Sequence, residues 1–158
     1  MVRAFIAVGS NLGDRHKNLV QAKVLLEKIL AIKILRSSPI YETEPVGGPP
    51  QGKYLNAVWE IETTLVPQAL LEKLLAVEAE LGRVRREANA PRTLDLDILF
   101  YGDQIIDWPG LTIPHPRLHD RTFVLEPLAD IAPDVVHPKL MKTVRVLLEE
   151  LLERNSKS

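Results

Sequence analysis

A chain of 158 residues is the size of one domain, and such a chain buries roughly 68–70% of its unfolded surface in a single core. With 20 basic and 21 acidic side chains its net charge is −1, which excludes the strongly basic balance of a general nucleic-acid coat. It has no cysteine, hence no disulfide framework or cysteine zinc site, and no apolar run approaches the roughly 18 residues of a membrane span.

Residues 1–3 lead straight into strand-like sequence without a signal-peptide pattern, so a cytoplasmic protein is expected. Residues 2–8 are mostly apolar on both faces, which suits a central strand. Gly9-Ser10-Asn11-Leu12-Gly13 follows a strand and opens a helix, and is either an entry that receives an anion or, more simply, a tight turn packed beside a site with Asn11 as a supporting donor. Asp14 caps a helix running to about Leu30, with Leu19, Ala22, Leu26 and Ile29 at helical spacing. Residues 32–38 read as a second strand. Residues 42–53 contain Pro45, Pro49 and Pro50 beside three glycines, and a long loop of this kind inside a compact domain is often a lid. Residues 54–63 form a third strand, with Leu55, Ala57, Trp59 and Ile61 on one face.

Pro67 suits the first turn of a second helix, Gly82 suits its end, and Leu70, Leu71, Leu74, Val77 and Leu81 form its stripe. Glu78 interrupts that stripe, either as an acid snorkelling at the rim or as a site acid reaching inward. Residues 83–91 are an irregular basic loop with Arg83, Arg85 and Arg86. Residues 104–113 hold a short hairpin arm, several prolines interrupt the stretch from 114 to 138, and a last helix covers about 143–154. The order β-α-β-β-α-β with a tail is the split βαβ, ferredoxin-like order of an α+β fold. It predicts one domain over residues 1–158: a largely antiparallel sheet, two long helices on one face and the tail helix on the other, in three α-β-α layers.

The chemistry concentrates in Pro91-Arg92-Thr93-Leu94-Asp95-Leu96-Asp97-Ile98-Leu99-Phe100. On a strand, residues two apart share a face, so Asp95 and Asp97 look out together while Leu94, Leu96 and Ile98 enter a core. Their backbones stand about 6–7 Å apart, and two acids at that spacing repel unless a cation lies between them. Magnesium takes one or two carboxylates together with phosphate oxygens. Arg83, Arg85 and Arg92 upstream, with His115 and Arg121 downstream, suit a metal-bound polyphosphate. There is no P-loop and no G-x-G-x-x-G. Phosphoryl transfer needs mainly positioned reactants, metal and arginines, and those parts are present. His115 between two prolines is either a rigid surface turn or a phosphate contact. Asn56, with Tyr54 and Phe123, suits the edge and face of a flat heterocycle; the two aromatics read equally well as core residues.

Together these residues resemble 6-hydroxymethyl-7,8-dihydropterin pyrophosphokinase, a folate-pathway family. The resemblance runs from Phe5 to about Pro138 and includes Tyr54-Leu55-Asn56-Ala57, Glu78 with Gly82-Arg83-Val84-Arg85, and the run from Pro91 to Ile98. It continues through Ile113-Pro114-His115-Pro116 and Arg121-Thr122-Phe123-Val124-Leu125. It implies magnesium-dependent transfer of pyrophosphate from ATP to the pterin hydroxymethyl group, leaving AMP. Two magnesium ions would sit on Asp95 and Asp97, with Arg83 and Arg92 assisting transfer. Arg85, His115 and Arg121 would hold phosphates; Leu71, Ile98 and Thr112 would line the adenine and ribose pocket, with Glu78 on the ATP side. Thr43, Pro45, Val46, Tyr54, Asn56 and Phe123 would bind the pterin.

The resemblance further implies a monomer working on small molecules, with no nucleic-acid or membrane partner. Loops near 10–15, 42–53 and 83–91 would close over the substrates. Ala88-Asn89-Ala90 stands where many members carry arginine, tryptophan and glycine, and Leu75 where some carry a glutamine. The first departure implies looser closure and bears on turnover more than on reaction type. It also leaves room for a non-catalytic, ATP-binding regulatory module on the same fold.

Overall fold

The computed structural model describes residues 1–44, 51–82 and 93–157. Nine strands and four helices alternate along them. β1 (Val2–Ser10) leads to α1 (Arg15–Glu27), then β2 (Ile32–Ser37), β3 (Tyr41–Thr43) and β4 (Tyr54–Thr63). After α2 (Pro67–Glu80) come β5 (Asp95–Tyr101), the hairpin β6 (Ile106–Trp108) and β7 (Leu111–Ile113), and a 3-10 turn at Leu118–Asp120. The chain ends with α3 (Thr122–Ile131), β8 (Val136–His137), β9 (Lys142–Thr143) and α4 (Val144–Ser156).

The main sheet has the order β2-β4-β1-β5, with β3 also paired to β4, and every pairing is antiparallel. This is the expected split βαβ order. α1 and α2 cover one face through a core that includes Ile6, Leu26, Leu74 and Leu96. α3 and α4 cover the other through Phe5, Val58, Leu125 and Leu147. The three layers are therefore helix, sheet, helix, as the element order predicts.

Local signals act where the sequence places them. The Asp14 carboxylate accepts the Lys17 amide at 3.1 Å and starts α1, which ends at Glu27, three residues earlier than expected. Pro67 opens α2, and Gly82 follows it with φ +84°, a conformation glycine adopts without steric cost. β1 runs on through Gly9 and Ser10, so the turn starts later than the glycine suggests.

Helix α3 is the element that the prolines conceal. Pro127 lies inside it, where it costs a backbone hydrogen bond. Val124, Leu125, Leu128 and Ile131 are all buried against the sheet, and that apolar face offsets the lost bond. One β-bulge also matters. Ile6 pairs with Ile98 but Phe5 with Phe100, so Leu99 is an extra residue on β5. Leu94, Leu96 and Ile98 join the α1–α2 core, whereas Leu99 and Phe100 both turn to the α3–α4 side.

Candidate functional site

A cleft opens on the α3–α4 side of the sheet at the C-terminal end of β1, and three strands supply its floor. Gly9 pairs with Asn56 on β4 and with Asp95 on β5, so these three form one row across the sheet. Ala7, paired with Val58 and Asp97, makes the next row. Opposed residues of an antiparallel pair share a face, which puts Asn56, Asp95 and Asp97 on the cleft side together. With strands about 4.8 Å apart, Asn56 and Asp95 stand at backbones roughly 10 Å from one another, with only small residues between them.

The acid side of the cleft is as the spacing predicts. Asp95 and Asp97 are both half-buried, line the cleft, and stand apart from the buried Leu94, Leu96 and Ile98. His115 and Arg121 line the same cleft. The His115 amide donates to the Leu99 carbonyl at 3.1 Å, which ties the segment after β7 to the outer side of β5. Arg121 is the N-cap of α3, so its guanidinium stands beside the positive end of a helix dipole. That helix terminus and side chain together suit a phosphate.

His115 is held as a neutral imidazole. Burial, and then the Arg121 cation, push its pKa down from 6.5 to about 4, with Asp95 opposing the shift. Its Nδ1 accepts the Arg117 amide at 3.2 Å, so the remaining proton sits on Nε2. The ring is therefore a hydrogen-bond donor that adds no charge at neutral pH.

The consequence for stability has a definite sign. Above pH 6.5 the imidazole is neutral in both folded and unfolded chains. Between about 6.5 and 4 the unfolded chain takes up a proton that the folded one refuses, so stability falls with falling pH. Thermal midpoints of wild type and His115→Gln across that window should show a shallower acid slope in the variant. The His115 ring resonances should titrate near pH 4; a midpoint near 6.5 would refute the assignment.

The opposite side of the cleft presents a fixed amide beside two aromatic rings. Asn56 is 9% exposed, and its Nδ2 donates to the Thr43 hydroxyl at 2.5 Å, so β3 and β4 fix the amide between them. Tyr54 and Phe123 are half-buried and both line the cleft, and Phe123 also packs against the α3–α4 core. The Arg121 guanidinium carbon lies 5.5 Å from the Phe123 ring centre, so the cation and the aromatic brace one another. Asn11, 6% exposed, donates to Gln51 Oε1 at 2.5 Å and to the Gly52 carbonyl at 3.2 Å. Gln51 lines the cleft, so Asn11 supports its wall as expected.

Four expected nucleotide residues lie outside this cleft. Leu71 packs against the α1–α2 core, Ile98 is 5% exposed within that core, and Thr112 is exposed on β7. Glu78 is neither at the rim nor in the cleft: it is 2% exposed and accepts the Leu96 amide. Arg83, Arg85, Arg92, Pro45 and Val46 lie outside the described residues. Sequence reading missed Gly9 and Ala7 as the cleft floor. The signal was present in two small residues, two apart, at the end of an otherwise bulky strand.

A family model described as 7,8-dihydro-6-hydroxymethylpterin-pyrophosphokinase (HPPK) matches residues 5–133. A Bacillus subtilis protein named 2-amino-4-hydroxy-6-hydroxymethyldihydropteridine pyrophosphokinase is 48% identical over 132 residues, covering 84% of this chain and 79% of that protein. One of the same name from Synechocystis sp. is 43% identical over 148 residues, 94% of this chain and 75% of the relative. The Pneumocystis carinii folic acid synthesis protein fol1 is 43% identical over 155 residues, but the match is 97% of this chain and only 20% of that one. The crystal structure of Plasmodium falciparum HPPK-DHPS wild type with pteroate superposes with a TM-score of 0.79 at 17% identity, over 99% of this chain and 43% of that one, which shows a shared fold. The family match over most of the length and the two bacterial relatives agree: the chain belongs to the 7,8-dihydro-6-hydroxymethylpterin-pyrophosphokinase family.

Proposed function

We propose that this chain transfers the pyrophosphoryl group of ATP to the hydroxymethyl oxygen of 6-hydroxymethyl-7,8-dihydropterin, in folate biosynthesis. The oxygen would attack the β-phosphorus of ATP, the bond from that phosphorus to the α,β-bridging oxygen would break, and AMP would leave. The hydroxyl proton would pass to solvent. The observation that carries the reading is the row Asn56–Gly9–Asp95, which joins a ring pocket to an acid pair across one small-residue strand.

The donor set fits magnesium. Among the described residues no three metal-ligating side chains form a closed cage. An ion that takes one or two carboxylates and completes its shell with water and phosphate oxygens needs no such cage. Asp95 and Asp97 would hold it, and when bound it would spread the charge of the transferring phosphates. His115 and Arg121 would fix phosphate oxygens by hydrogen bonding without a proton transfer. Arg83 and Arg92 would assist transfer, and Arg85 would hold phosphate, as the family resemblance implies.

Leu71 and Ile98 belong to the α1–α2 side of the sheet, and Thr112 is exposed on β7. Among the described residues β5 is the edge of the sheet, so the nucleotide would cross that edge, with phosphates in the cleft and base beyond it. Thr43, Tyr54, Asn56 and Phe123 would bind the pterin together with Pro45 and Val46. The chain would work as a monomer on small molecules, in the cytoplasm where these substrates would be met. Among the described residues no helix is long and apolar enough to cross a membrane.

Phosphorus NMR of the protein with ATP, magnesium and the dihydropterin tests the reading. AMP and a pterin diphosphate are expected. ADP with a pterin monophosphate would overturn the reaction type. Bound ATP without product would favour the regulatory module that Ala88-Asn89-Ala90 allows.

A further inference from the structure

We propose that Glu78 is a positioning residue for the acid pair: its buried carboxylate holds the Leu96 amide and so fixes the strand segment from which Asp95 and Asp97 project. The inference rests on the reading of those aspartates as cation-facing residues.

Glu78 is out of place by composition. The buried positions of α2 are otherwise Pro67, Leu70, Leu74 and Val77. A carboxylate that is 2% exposed is expensive unless its oxygens are hydrogen-bonded, and an apolar residue here would extend the helix stripe. Its Oε2 takes the Leu96 amide at 2.7 Å, in the short range of charge-assisted bonds.

The topology explains why that amide needs it. Among the described residues β5 ends the sheet order and pairs with β1 alone, so amides facing away from β1 have no strand to bond. Helix α2 reaches that edge, and Glu78 supplies an acceptor where a further strand would have offered a carbonyl. Leu96 lies between the two aspartates and is itself 3% exposed in the α1–α2 core. Its side chain and its amide are thus both anchored from one side, while its neighbours face the cleft on the other. A slip of one residue would exchange the two faces of the strand. Residues that support metal-binding groups in this way commonly matter about 10–100-fold in metal affinity when removed.

Glu78→Met removes the acceptor and fills the space, whereas Glu78→Gln keeps an oxygen for Leu96. Three readouts are needed: hydrogen exchange of the Leu96 amide, Mn2+ affinity by electron paramagnetic resonance with α,β-methylene-ATP, and the thermal midpoint. Glu78→Met should speed Leu96 exchange and weaken Mn2+ about 10–100-fold. Glu78→Gln should stay within about threefold of wild type on Mn2+. Should the Met variant fail to fold, Glu78→Asp, one methylene short of Leu96, carries the same expectation.

Unchanged Mn2+ affinity in the Met variant would overturn the proposal, whatever happens to the thermal midpoint. Equal losses in both variants would also overturn it, since they would make the charge and not the amide bond decisive. A wild-type protein that binds no Mn2+ would sink the cation reading, and the proposal with it; a protected Leu96 amide would then report a purely structural bond.

Discussion

Asp97→Ala should lower pterin-dependent AMP release by about a thousandfold, the equivalent of about 4 kcal/mol of lost transition-state stabilisation. Asp97 is half-buried in the cleft, in register with Ala7, on the same face as Asp95. The remaining carboxylate cannot by itself replace a two-acid contact. The fold should not suffer. Asp97 belongs to neither apolar core, so Asp97→Asn should keep the fold and lose activity without a large change in unfolding temperature. A calorimetric scan beside an AMP assay checks both parts, and full activity in Asp97→Ala would remove the metal assignment.

Gly9→Ala should raise the KM for the pterin about 10–100-fold and leave the KM for ATP within about twofold of wild type. Gly9 is not among the described glycines with positive φ, so backbone freedom does not explain it. Space does. A Cβ at this position would stand 3.0 Å from Asn56 Oδ1 and 3.5 Å from the Tyr54 ring. Both neighbours belong to the ring side of the cleft. Asn56 Oδ1 would have to give way by a few tenths of an ångström, which turns the amide that Thr43 holds through Nδ2. The phosphate side, with His115 and Arg121, is untouched. Stability should change little, because alanine also removes the entropy cost of glycine in a strand, about 0.5–1 kcal/mol. Steady-state kinetics with each substrate varied in turn separates the two effects; a rise in the KM for ATP would relocate the ring pocket.

Much of this was written in local pattern. The pairing of Asp95 with Asp97 follows from the two-residue period of a strand, and the order of strands and helices from apolar periodicity. The start of α1 follows from Asp14 and the limits of α2 from Pro67 and Gly82, because caps and fixed dihedrals act within a few residues. The family itself was legible, since the run from Pro91 to Ile98 and the motifs around it occur in a fixed order.

Local pattern could not give the features that depend on a partner far along the chain. Helix α3 carries Pro127 and forms because the sheet offers its apolar face a place to bury. The extra residue Leu99 exists only relative to β1, so the turn of Phe100 to the α3–α4 face cannot be read from β5 alone. Glu78 looked like a surface or site acid, and only the sheet edge beside it shows an amide in need of an acceptor. Gly9 looked like a turn residue until strand register set it between Asn56 and Asp95. The sequence by itself determined most of the elements, the family and the spacing of the acid run, because those are encoded by residues close together in the chain. The tertiary structure alone decided which side chains meet across the cleft, because register, edges and burial are properties of separate segments brought together, such as β1 with β4 and β5.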